Sequence, residues 1–117
     1  MLVDDEESIV SSSKKILENY GYQISSFVDS LKALEEFKLH PQDFDLLISD
    51  KTMPKMDGLI LSENILNIRS DIPIIICSGF NIVHNKENDT VGRISKYINK
   101  PITLYELLTS VREVLDN

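Results

Sequence analysis

In the stretch Phe44-Asp45-Leu46-Leu47-Ile48-Ser49-Asp50, a largely apolar run of strand length stops on a carboxylate. Three other apolar runs stop in the same manner. Leu2-Val3 leads into Asp4-Asp5, Ile74-Ile75-Ile76-Cys77 into Ser78, and Tyr97-Ile98 into Lys100-Pro101. Continuously apolar strands are those buried on both faces, as in a parallel sheet covered by helices. Lying side by side and parallel, these runs bring three carboxylates, a hydroxyl and an ammonium to one edge of one sheet.

The intervening segments change period from two to 3.6. Ile9, Val10, Ile16, Leu17 and Tyr20 recur at helical spacing before Gly21, a natural C-terminal stop. Tyr22, Ile24 and Phe27-Val28 read as the second strand. Leu31, Leu34 and Phe37 mark one face of a helix ending before Pro41, and Leu61, Ile65, Leu66 and Ile68 mark another. A further helix is expected near His84 to Gly92. The last helix opens with Thr103 as N-cap and Glu106 three residues later, a capping box, with Leu104, Leu107, Leu108, Val111 and Leu115 inward. Alternation of strand and helix, repeated five times, implies a parallel sheet with helices on both faces.

Length and charge narrow the function. The 117 residues are 42% apolar and 26% charged, which fits a single globular domain over 1–117 with a real core. No run approaches the ~18 apolar residues that span a bilayer, and no signal peptide opens the chain, so an intracellular domain with no direct membrane contact is expected. A net charge of -7 argues against direct binding to nucleic acid and for a protein partner. Cys77, the single cysteine, reads as a small buried core residue. His40 and His84 lack neighbouring ligand patterns. Only three residues precede Asp4, so Met1 is read as a cut from a longer chain or an added start codon.

The constellation has a definite chemistry. Ligands of open parallel sheets bind outside the carboxyl ends of the strands, where all these polar groups fall. Three carboxylates drawn together repel one another, and a hard cation such as Mg²⁺ (or Mn²⁺) relieves that repulsion. Beside such a cation a carboxylate can be the nucleophile toward a phosphoryl group, and Asp50 is the candidate. Lys100 supplies a point charge for phosphoryl oxygens, Ser78 a hydrogen bond to them, and Pro101 fixes the backbone after Lys100 as a candidate cis proline. Taken singly, Asp4-Asp5 read as caps of the first helix, Asp50 as a turn residue and Lys100 as a loop lysine. Their joint placement favours one site.

Four ordered motifs then resemble the receiver domains of two-component response regulators and hybrid sensor kinases. They are Val3-Asp4-Asp5-Glu6-Glu7, Asp50-Lys51-Thr52-Met53-Pro54 with Met56-Asp57-Gly58, Ser78-Gly79, and Tyr97-Ile98-Asn99-Lys100-Pro101. The resemblance implies a flavodoxin-like (βα)₅ three-layer sandwich with sheet order 2-1-3-4-5. It also implies Asp50 as phosphoacceptor, Asp4, Asp5, Asp50 and the Thr52 backbone carbonyl as metal ligands, Ser78 and Tyr97 as switch residues, Lys100 as the phosphate-pairing lysine, and Thr52 and Phe80 as side chains that tune phosphate lifetime. The implied partner is a histidine kinase or histidine phosphotransfer domain. Phosphorylation would repack the face made by the helix at 84–92, the last strand and the last helix, and would support a dimer. The implied setting is cytoplasmic, tethered or not to a membrane-bound parent kinase.

Two other readings compete. Asp50-Lys51-Thr52 superficially resembles the phosphorylated aspartate motif of haloacid-dehalogenase-like phosphohydrolases, which continue Gly-Thr where this chain has Met53-Pro54. A pseudo-receiver would keep the fold for binding alone, against which Asp5, Asp50 and Lys100 stand intact. The receiver reading makes the domain a phosphoacceptor rather than a turnover enzyme.

Overall fold

The computed structural model describes residues 1–79 and 93–116. Five parallel strands, β1 (Leu2–Val3), β2 (Ser26–Phe27), β3 (Leu47–Asp50), β4 (Ile74–Ser78) and β5 (Lys96–Asn99), form one sheet in the order 2-1-3-4-5. The helices among the described residues are α1 (Glu7–Asn19), α2 (Ser30–Leu39), α3 (Gly58–Ile68) and α4 (Leu104–Asp116). The helix expected at 84–92 and the side chain of Phe80 lie outside the described residues.

Alternation along the strands splits the core into two layers. Val3, Leu47, Ile74 and Ile76 face Ala33, Leu34, Phe37, Leu61 and Ile65 of α2 and α3. Leu2, Ile48, Ile75, Cys77 and Ile98 face Val10, Leu17, Leu107, Val111 and Val114 of α1 and α4. Both faces are thus covered, which is why β3 and β4 read as apolar runs rather than alternating ones. Each fully buried aliphatic side chain contributes roughly 1.5–3 kcal/mol relative to exposure. Register pairs Leu2 with Ile48, Ser49 with Ile76, Asp50 with Cys77, and Ser78 with Asn99. The strand ends therefore finish nearly level, and the residues after them share an edge.

Several sequence expectations are corrected. The second strand spans only Ser26–Phe27, because Tyr22 and Ile24 pack beside the α1–α4 layer instead of continuing the ladder. Regular β3 starts at Leu47, and Phe44 serves the other layer, stacking on Phe37 with ring centroids 5.8 Å apart. Leu31, Ile68 and Leu104 are exposed, since each lies in the first or last turn of its helix, where the apolar stripe runs past the edge of the sheet. Neither Asp4 nor Asp5 caps α1: its N-cap is Glu6, which makes no side-chain cap bond. Thr103 does cap α4, its hydroxyl accepting from the Glu106 N–H at 3.1 Å. Gly21 follows α1 with φ +92°, a left-handed stop that a side chain would strain.

Candidate functional site

The same period-two alternation builds the site. Asp4, Asp50 and Lys100 continue the parity of Leu2, Ile48 and Ile98, so all three emerge at the carboxyl edge from the sheet face that α1 and α4 cover. Lys100 Nζ lies 2.9 Å from Asp4 Oδ2 and 3.2 Å from Asp50 Oδ1. Asp4 and Asp50 are buried and Asp5 is exposed, and carboxylate oxygens of the three lie within 4.8 Å of one another. Asp4 Oδ1 accepts from the Glu6 N–H at 3.0 Å, which orients the carboxylate and leaves Oδ2 to Lys100.

Backbone contacts hold the strand ends together. Lys51 N–H donates to the Cys77 carbonyl at 2.8 Å, and Lys100 N–H to the Ser78 carbonyl at 2.7 Å. The Lys100–Pro101 peptide is cis, as the sequence suggested. Ser78 is buried at the end of β4, and Tyr97 is half-buried against the α2–α3 layer. Thr52 is exposed in the loop after β3. The structure thus gathers Asp4, Asp5, Asp50 and Lys100 into direct proximity, with Ser78 and Thr52 at the ends of neighbouring strands.

Electrostatics follow from one ammonium facing three carboxylates. Burial and then the negative charge of Asp4 push the Asp50 carboxyl above its ordinary value, against the pull of Lys100. Burial works against the Lys100 charge, but its hydrogen bond to Asp4 and the charges of Asp4 and Asp50 hold its pKa above the usual lysine value. The cluster therefore lacks positive charge. Oxygen donors of this kind, converging on one point, fit a hard divalent cation: Asp4, Asp5 and Asp50 would hold it, and it would supply charge neutralisation to an incoming anion.

Sequence reasoning alone gives Gly58 no role at the site. It opens α3 directly against the backbone of Asp50, with its N–H donating to the Lys51 carbonyl at 2.7 Å. A Cβ built there would lie 3.0 Å from both the Asp50 carbonyl carbon and Ser49 Oγ, and far inside van der Waals contact with the Asp50 carbonyl oxygen. Asp57 caps α3, accepting from the Ile60 N–H at 2.9 Å. The Asp57-Gly58 pair is the signal that could have revealed this clamp: an N-cap followed by the one residue that permits close approach.

A doubly wound parallel sheet with an acidic, lysine-bridged cluster at its carboxyl edge defines a protein class that handles charged groups at that edge. The chain belongs to the response regulator receiver domain family, whose model matches residues 1–112. The response regulator receiver protein CpdR of Brucella abortus (strain 2308) is 30% identical over 98% of this chain and 94% of CpdR. The sensor kinase CckA of the same organism is 28% identical over 99% of this chain but only 12% of CckA. A crystal structure of a response regulator receiver domain protein from Clostridium thermocellum matches with a TM-score of 0.89 at 25% identity, over 98% of this chain and 91% of that one. Receiver domains are signalling domains of two-component systems, not turnover enzymes. They bind Mg²⁺ at an acidic pocket and partner with histidine kinases or phosphotransfer proteins. Among the described residues, no helix is long and apolar enough to cross a membrane.

Proposed function

We propose that residues 1–117 form one phosphoacceptor domain of a two-component phosphorelay, in which Asp50 accepts a phosphoryl group from a phosphohistidine on a partner kinase or phosphotransfer domain. One observation carries this reading: Lys100 Nζ bridges Asp4 and Asp50 at 2.9 and 3.2 Å while Asp5 completes the carboxylate cluster. An Asp50 carboxylate oxygen attacks phosphorus, the P–O bond forms, the P–N bond breaks, and the electron pair returns to the donor imidazole. Asp4, Asp5, Asp50 and the Thr52 carbonyl would hold Mg²⁺, which when bound would supply charge neutralisation for the phosphoryl oxygens. Lys100 pairs with those oxygens as a point charge. Ser78 then hydrogen-bonds the group carried by Asp50, and Tyr97 repacks with it. The added charge shifts the population between two packings of the face that includes β5 and α4.

The proposed setting is cytoplasmic. The CckA match supports a receiver within a sensor kinase, and the CpdR match supports a free-standing one. The sequence upstream of Met1 in the parent gene distinguishes them, a kinase catalytic domain there settling the hybrid form. The function itself is tested by labelling with a phosphohistidine donor in the presence and absence of Mg²⁺. Labelling that requires Mg²⁺ and disappears in Asp50→Asn is expected, and undiminished labelling of that variant would sink the assignment.

A further inference from the structure

The loop between β3 and α3 is closed at its ends by Lys51 and Gly58, and its middle holds an unusual backbone. Among the described non-glycine residues Lys55 alone has a positive φ, 69°. Met56 N–H donates to the Pro54 carbonyl at 2.8 Å, so Lys55 is the central residue of a γ-turn of the rare, strained hand. Glycine or asparagine would occupy that conformation at less cost. What the lysine adds is reach: its Nζ lies 3.1 Å from Asp29 Oδ2. Asp29 is held ready, since its other oxygen accepts from the Leu31 N–H at 2.9 Å as the N-cap of α2. The Lys55 hydrogen bond, then that backbone bond, keep the Asp29 carboxyl below its ordinary value. The pair thus ties the loop that follows Asp50 to the start of a helix 26 residues away in sequence.

We propose that the Lys55–Asp29 pair is a latch that sets the position of the 51–57 loop, which makes Lys55 a positioning residue for the cation bound by the carboxylate cluster. The inference rests on the metal reading of that site. An exposed ion pair stabilises a fold only slightly, so the latch acts on loop placement rather than on global stability. Its effect also has a distinctive sign. Removing a nearby cation should by Coulomb's law tighten Mg²⁺ binding to an acidic site, whereas loosening the loop weakens it.

The test is calorimetric titration of the protein with MgCl₂ alone, beside urea unfolding. Lys55→Asn, which suits positive φ but cannot reach Asp29, is expected to weaken Mg²⁺ binding by about threefold to tenfold, at or below the low end of what lost outer-shell support costs. Its urea midpoint should not fall below the wild-type value, since asparagine takes the positive φ at less cost and an exposed ion pair adds little, and Lys55→Arg should keep the wild-type affinity. Unchanged or tighter binding by Lys55→Asn overturns the latch. Failure of the wild type itself to bind Mg²⁺ overturns the metal reading, and with it this inference.

Discussion

Gly58 packs its Cα against the backbone carbonyl of Asp50, so the first residue of α3 and the last residue of β3 share space that no side chain can enter. Gly58→Ala at a helix start would ordinarily be neutral or stabilising. Here the added methyl must displace either α3 or the Asp50 backbone. A loss of about 1–3 kcal/mol in urea unfolding is expected, as for other overpacked sites. A gain in stability would show that the clamp is slack.

Asp50 is held at a cost. A carboxyl whose pKa is raised on folding stabilises the protein below its unfolded pKa, and that contribution is lost as pH rises through the folded value. At neutral pH without Mg²⁺ the ionised side chain is therefore a burden. Asp50→Asn is predicted to raise stability by about 1 kcal/mol in the presence of a chelator. Mg²⁺ should raise the melting temperature of the wild type more than that of the variant. Equal shifts in both would remove Asp50 from the ligand set.

Lys100 offsets charge that a cation would otherwise offset. Lys100→Met leaves the Asp4 and Asp50 charges without their counter-ion, which should cost about 2 kcal/mol without metal. Mg²⁺ should then stabilise the variant more than the wild type, while phosphoryl transfer falls. A variant that gains no more from Mg²⁺ than the wild type does would contradict this charge balance.

Cys77 lies under the site, paired in register with Asp50, and burial pushes its thiol up to about 12. A thiol reagent at pH 8 should leave it unmodified in the native protein and label it on unfolding. The raised value also means that its contribution to stability is intact below the ordinary thiol value and lost as pH climbs toward about 12. Rapid native-state labelling would contradict the burial.

Among the described residues, the order of elements and the polar strand ends were legible because both depend on local pattern. Asp4, Asp50 and Lys100 each end an apolar run, and a parallel sheet leaves those ends little freedom. Leu31, Ile68 and Leu104 were misread because helical periodicity does not say where a stripe outruns the sheet beneath it. Tyr22 and Ile24 looked like strand because alternation marks burial as well as ladder pairing. The Lys55–Asp29 contact had no sequence signal: it joins two loops brought together by tertiary packing, and its strained φ falls on a residue type that does not announce it.

Whether Asp50 carries the phosphoryl group is read by locating the modification. The protein is phosphorylated with Mg²⁺ and a phosphohistidine donor, the acyl phosphate is trapped by borohydride reduction, and proteolytic fragments are analysed by mass spectrometry. A single reduced site at Asp50 is expected, absent when Mg²⁺ is chelated. Modification at Asp4, Asp5 or any other residue, with Asp50 untouched, would contradict it.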